Sequence, residues 1–396
     1  MYYRQPQYYK DFQCIGSACM DNCCFGWRID WTKEEVDKVL NAENISPELK
    51  SLVESSFVPN EAKPGSFQIK LDERAACPFQ TGEKLCRIQG ELGAEYLSRT
   101  CTVYPRQQQI TPNAIYRHCK TSCPVIIDKL LNDESSADLV NANAEAILKN
   151  KIFVGEAVSE VDYSAELLEF FYKLISDKKI PLETAIILGA LAAQKLTEIV
   201  AAKNYRMIPE ALKAFQKQFH NAEQLKAIDN IKPNYHLKFA FLAEIIERII
   251  FNGATALLKD QTGTPNVDLY ALGEQRLHEI LGGREHFLRN LALNMLLEFN
   301  VPFKFADKTI FENYSLFVAA FGCLKLNLIA VCSTDKAINF RTFNQEFKYI
   351  GDDKLIGMSA IICRGICQSE DKACAIIARL AENKFTTPAY LALLVK

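Results

Sequence analysis

Nine of the chain's fourteen cysteines, Cys14, Cys19, Cys23, Cys24, Cys77, Cys86, Cys101, Cys119 and Cys123, fall before residue 124, and the next is Cys323. Cysteines scattered for packing would not leave that gap. Thiolates gather to bind a soft metal or an iron-sulfur cluster, whereas a lone cysteine is ordinarily a small apolar side chain. The spacing runs C-x4-C-x3-C-C over 14–24, C-x8-C over 77–86, a single Cys101, and C-x3-C over 119–123.

This is not the C-x2-C pairing of a zinc ribbon. It also departs from the C-x3-C-x2-C triplet of radical S-adenosylmethionine enzymes, because Cys24 follows Cys23 directly and position 126 is Ile126. Cys77 and Cys123 each precede a proline, as ligand cysteines of ferredoxins often do. Pro124 opens a predicted helix, PVIIDKLL, with Cys123 at its amino end, where the helix dipole favours a thiolate. Three chemistries stay open for the set: an iron-sulfur site, which these details favour, a structural zinc knot, and unliganded core thiols. Nine thiols suffice for one four-ligand site or for two.

The elements that must hold these thiols are short. TKEEVDKVL (32–40) reads as a helix with Thr32 as N-cap and Glu35 closing a capping box. GSFQIKLD (65–72) alternates like a strand, and QQQITPNAIYR (107–117) reads as two strands around a Pro112-Asn113 turn. This stretch is poor in apolar periodicity, a shortage that metal crosslinks commonly remedy.

Beyond about residue 160 the pattern becomes helical, over 163–179, 181–204, 236–260 and 273–300, with Pro181 and Pro209 at helix starts. The fold class expected is mainly α: a small cysteine-rich amino-terminal domain with short strands and a metal or iron-sulfur site (1–135), a linker (136–160), and a larger all-α helical domain (161–396) that docks the substrate.

Composition excludes several functions. A net charge of -2 over 396 residues provides no basic field, so nucleic acid is not expected as a partner. The segment 314–333 approaches membrane length but carries Lys325 and Asn327 near its middle. A lysine at mid-bilayer costs roughly 2.5 to 3.5 kcal/mol, so a buried helix is expected and no membrane partner. The start of the chain has no apolar run of signal-peptide length, which predicts a cytoplasmic protein with free thiols.

Three stretches, YYKDFQCIGSACMDNCCFGWRIDW, KLDERAACPFQTGEKLCRIQGELGAEYLSRTCTVYPR and RHCKTSCPVIIDKLL, together spanning residues 8–131, resemble the flagellin lysine-N-methylase family in order and spacing. The middle stretch is also similar to a broader group of zinc- or iron-chelating cysteine-cluster proteins. The family resemblance implies methyl transfer from S-adenosylmethionine to surface lysines of flagellin, in a protein holding a [4Fe-4S] cluster, one or two in number. Its ligands would come from the nine early cysteines. Cys19, Cys23, Cys119 and Cys123 make one quartet, and Cys77, Cys86 and Cys101 with Cys14 or Cys24 make a second. The broader group implies instead a non-enzymatic chelating or electron-relay protein with a helical partner-binding domain.

No strand followed by a glycine-rich loop announces an ordinary cofactor fold, and the double glycine of ILGGREH (280–286) reads as a helix-to-helix turn. Either one iron is left free of cysteine to hold the cofactor's methionine moiety, or a neutral lysine amine attacks directly after losing its proton. Asp72, Glu73 and Tyr104 are candidates to assist that loss, each with an exposed-charge or packed-ring alternative, and no catalytic base is assigned. Arg106 and Arg117 flank the hairpin, as carboxylate receptors or as surface arginines. Trp27 is read as shielding the metal site, and His118 as a bystander beside Cys119 rather than a ligand.

Overall fold

The computed structural model describes residues 2–26, 29–61, 63–73, 75–142, 152–153, 163–250, 254–342, 345–367 and 369–396, with 152–153 and 339–349 as backbone alone. Trp27 lies outside these residues. In the first part, β1 (Tyr2–Pro6) and β2 (Asp30–Thr32) precede the helices α1 (Lys33–Leu40) and α2 (Pro47–Ser56). Then come β3 (Phe57–Pro59), β4 (Ser66–Ile69), α3 (Arg87–Leu92), α4 (Arg99–Val103), β5 (Arg106–Ile110), β6 (Ala114–Cys119), α5 (Pro124–Asn132), β7 (Leu139–Asn141) and β8 (Ile152–Phe153).

Thr32 and Glu35 form the expected capping box on α1. β5 and β6 pair antiparallel across the Pro112-Asn113 turn, from Ile110↔Ile115 to Arg106↔Cys119. That hairpin is the centre of a five-stranded sheet in the order β7-β1-β6-β5-β8, with β1 parallel to β6. A second, three-stranded sheet, β2-β4-β3, packs on α1 and α2.

The second part is α6 (Ser164–Ser176), α7 (Leu182–Ala201), α8 (Ile208–Gln218), α9 (Ala222–Asp229), α10 (Tyr235–Lys238), a π-helical stretch Phe239–Glu247, and α11 (Arg248–Ile250). It continues through α12 (Val267–Leu281), α13 (His286–Glu298), α14 (Ile310–Cys332), β9 (Ile338–Thr342), β10 (Gln345–Tyr349), α15 (Asp352–Cys367), α16 (Glu370–Glu382) and α17 (Pro388–Val395). Gly282, in the left-handed region at φ 55°, ends α12 and makes the expected turn into α13.

Two expectations need correction here. The helical half is not all-α, because β9 and β10 pair antiparallel from Thr342↔Gln345 to Tyr349↔Ile338; Ile338, Phe340 and Thr342 alternate with polar residues at the strand period. Nor is 236–260 one helix, since π-helical hydrogen bonding, a rare register, runs over Phe239–Glu247.

α14 is the axis of the larger core. It is apolar on every side, which in a globular chain demands burial all round, and 94% of its most apolar window is buried. Lys325 is accommodated by an ion pair to Glu183 of α7 at 2.7 Å. α7 and α14 are both long and apolar enough to cross a membrane, and most of each is buried inside the protein. Close approach of α7 is possible because Gly189 lacks a Cβ, which would overlap the Tyr314 hydroxyl. The larger core draws on both sides of residues 143–162, including Tyr8, Phe12, Tyr116, Cys119 and Cys123. The smaller core is separate, built on Trp31, Val39, Leu49, Val53, Phe79 and Ile88.

Candidate metal centre

The first cysteine motif is a loop folded by its own polar residues. Gly16, at φ 56°, starts a single 3-10 turn. Asn22 accepts from the Cys24 amide at 2.7 Å and donates to the Lys84 carbonyl at 2.8 Å, so one side chain both shapes the loop and ties it to the second motif. The Cys77 amide donates to the Cys24 carbonyl at 2.9 Å. Cys86 and Cys123 stand at the N-cap positions of α3 and α5, the latter as expected.

These segments surround a cavity of about 140 Å³ lined by Cys14, Cys19, Cys23, Cys24, Cys86 and Cys123. Cys77 and Cys101 stand behind it, packed against the smaller core and within electrostatic reach of Cys86 and Cys23. Cys119 is fully buried in the larger core and meets the others only through Cys123. The Cys19, Cys23, Cys119, Cys123 quartet is therefore represented at the cavity by three members. Among the described residues no group of three or more His, Cys, Asp or Glu side chains is placed to hold a metal ion as the side chains stand.

Cys23 is the hub, since its charge acts on Cys19, Cys24, Cys77, Cys86, Cys101 and Cys123. Burial pushes Cys19 up to about 11 and Cys77, Cys101 and Cys123 up to about 12, and neighbouring thiols add to each rise. For Cys123 the amides of Ile126 and Val125 pull the other way, as its place at a helix start requires, yet burial outweighs them. Cys23 alone is lowered, because Cys24 hydrogen-bonds to it and Arg364 lies near. Crowded thiols that oppose one another's ionisation are a donor set that a soft cation or cluster suits.

The spacing of cysteines did not point to the residues that hold this ring in place. Arg364 of α15 donates to both carboxylate oxygens of Asp21, at 2.8 and 3.3 Å, and Asp21 is only 3% exposed. An arginine inside CRGIC (363–367) and an aspartate between Cys19 and Cys23 were the available signals. On the other side, α13 grips the 119–123 loop. Asn294 donates to the Cys119 carbonyl at 3.0 Å, and Glu298 accepts from the Thr121 amide at 2.9 Å. The Tyr8 hydroxyl accepts the Cys119 amide at 2.9 Å.

Of the proton-handling candidates, Tyr104 alone lines the cavity, with its hydroxyl 3.1 Å from the Ser122 hydroxyl and burial pushing its phenol far up. Asp72 is exposed and accepts the Ala76 amide in a turn, and Glu73 is exposed beside it. His118 is buried, and strand alternation turns it to the face opposite Cys119. Burial lowers its pKa to about 3, with Lys120 and Lys304 contributing. Arg106 and Arg117 are not surface arginines: the first is half-buried and the second buried.

Residues 168–394 match a family model described as the FliB lysine N-methylase C-terminal domain. Over 137 residues the chain is 32% identical to flagellar biosynthetic protein FliU of Salmonella muenchen, covering 34% of this chain and 80% of that protein. It is also 32% identical over 137 residues to the lysine-N-methylases of Salmonella choleraesuis SC-B67 and Salmonella typhimurium LT2. The matched part spans about a third of the length of each of those two proteins. No solved structure matches.

Proposed function

Because the chain belongs to the FliB lysine N-methylase family, we propose that it transfers methyl groups from S-adenosylmethionine to lysine ε-amino groups of flagellin, with a [4Fe-4S] cluster held by the cysteines of the cavity. The observation that carries this reading is the meeting of thiols from three separate segments, 14–24, Cys86 and Cys123, around one space. The name of the first relative, a flagellar biosynthetic protein, supports a flagellar substrate.

Cys19, Cys23, Cys86 and Cys123 are the residues best placed to hold the cluster, with Cys14 and Cys24 adjoining. When bound, it would supply redox chemistry or an iron that orients the cofactor. The chain's own residues do the rest. Leu85 and Phe12 contribute apolar side chains to the cavity lining, and Tyr104 offers a neutral hydroxyl at its edge. The incoming lysine, with a pKa of about 10.4 in water, must be neutral to attack, and apolar side chains beside it would favour its neutral form.

Protein purified without oxygen and assayed for iron, sulfide and zinc tests the centre. Visible absorbance with about four irons per chain is expected, and zinc alone would move the reading to a structural site. Labelled S-adenosylmethionine with flagellin, in both reduced and oxidised conditions, tests the reaction. No label on lysine in either condition would end it.

A further inference from the structure

Among the described residues the five-stranded sheet ends on β7, and the outer edge of that strand carries backbone groups with no ladder partner. β7 pairs with β1 through Arg4↔Asn141, Gln5↔Val140 and Pro6↔Leu139. The Gln7 amide donates to the Asp138 carbonyl and the Ala142 amide to the Tyr3 carbonyl, each at about 3 Å, which sets the parity of the ladder. Bonded and non-bonded pairs alternate in an antiparallel ladder. Val140 therefore turns its amide and carbonyl toward Gln5, whereas Leu139 and Asn141 turn theirs away from β1. Pro6, with no N–H to give, stands at the non-bonded position opposite Leu139. An open row of backbone groups is a template for another strand.

That edge borders a cleft of about 840 Å³ between the sheet, α6 and α8. Arg4 lines the cleft and donates from Nη1 to the Asn141 Oδ1 at 3.0 Å, so Asn141 shares its face, and Leu139 lines the cleft beside it. Tyr163, Phe170 and Leu212 contribute apolar side chains to the lining. Its charges are of both signs. Arg4 is matched by Glu169, 3.7 Å from its Nε, which leaves the carboxylates of Asp138 and Glu166 and the ammonium groups of Lys173 and Lys213. Glu166 and Lys173 stand two turns apart on α6, about 10 Å along its axis.

We infer that β7 takes an extended segment of the protein substrate as a further strand, with alternate side chains of that segment, of both signs of charge, in the cleft between α6 and α8. This rests on the reading of flagellin as substrate given above. Backbone pairing supplies affinity and the cleft supplies selection, the division of labour wherever a peptide extends a sheet. The balanced lining selects a ligand of mixed charge, whereas a polyanion calls for a surplus of cations. No residue lining this cleft also lines the thiol cavity, so the segment is held apart from the chemistry and serves to anchor the substrate.

The test mixes the 396-residue chain with monomeric flagellin and reads calorimetry and amide exchange, with no turnover involved. Leu139→Pro removes an outward N–H, so the fold loses no ladder bond while the added strand is blocked. It should melt close to the parent and bind flagellin about tenfold more weakly or worse. Glu166→Lys and Lys173→Glu, at two exposed positions, should each weaken binding about three- to fivefold, and less so as salt is added. In the complex the Leu139 and Asn141 amides should exchange more slowly than in the free chain, while Val140, already bonded to Gln5, changes little. If Leu139→Pro does not fold, the two charge variants and the exchange of the parent decide.

Flagellin bound equally by the parent and every variant overturns the inference. So do Leu139 and Asn141 amides that are already slow in the free chain, because the edge would then be covered from within. Self-association lost in Leu139→Pro with flagellin binding kept overturns it too, by giving the edge to a second copy of the chain. If the parent does not bind flagellin at all, the substrate reading itself fails, a result told apart from failure of the inference alone, in which flagellin binds and the variants match the parent.

Discussion

Around α14 nearly every residue is buried, with Phe317, Phe321 and Tyr314 fully enclosed, whereas the core between α1 and α4 closes over nine buried apolar side chains and borders a ring of thiols. The first is held by area removed from water and by helix packing with little room to spare. The second reaches order through ties to its surroundings: Asn22 to Lys84, Asp21 to Arg364, and the 119–123 loop to α13. The contrast teaches that the two regions reach order by different means. The helical core supplies a rigid wall, and the thiol region leans on it.

The largest effect should come from the self-sufficient side. Phe317→Ala in α14 removes a fully buried ring, and denaturant melts should show a global loss of about 3 to 5 kcal/mol in one transition. A loss confined to the thiol region, or under about 1 kcal/mol, would mean that the two cores are not divided as described.

Next is the tie between them. Asp21→Asn or Arg364→Met leaves a buried partner uncompensated, and breaking such a pair costs about 3 kcal/mol or more. Hydrogen exchange should quicken over 14–26 while the amides of α14 keep their protection. Equal quickening in both would show that Arg364 supports the whole fold instead of the loop.

Smallest per pH unit is a dependence on pH inside the helical core. Burial lowers Lys238 from 10.5 to about 7, with its Nζ 3.2 Å from the Tyr270 hydroxyl. Between those values the unfolded chain binds a proton that the folded chain does not, so stability rises with pH across this window, by up to about 1.4 kcal/mol per unit. Glu247 behaves in the opposite sense. Burial raises it from 4.5 to about 7, the folded chain holds the extra proton, and stability falls as pH climbs through that range. The two together give a minimum near neutrality. Subtracting the Lys238→Met curve from the parent curve should isolate the alkaline rise, and parallel curves would show that Lys238 stays charged when folded.

Local features were readable from residues alone. The capping box of Thr32 and Glu35, the turn at Pro112-Asn113, the helix start after Cys123 and the burial of 314–333 each follow from a short pattern with its own periodicity or cap. What escaped is what depends on partners. The parallel pairing of β1 with β6 and the Asp21–Arg364 pair leave no periodic trace, because each is decided by tertiary packing. The burial of Arg117 belongs to the same class: an arginine in a strand reads as surface until the sheet is assembled around it. The site was thus legible as a composition of thiols, but not as a geometry.

The Asp21–Arg364 pair joins positions 343 apart along the chain. During synthesis, early domains generally fold as they leave the ribosome, but this loop lacks its anchor until α15 has emerged. The newborn 14–24 loop must therefore wait with its thiols unsettled while more than three hundred further residues are translated. An inorganic guest at this loop would accordingly be loaded late, once α15 has emerged.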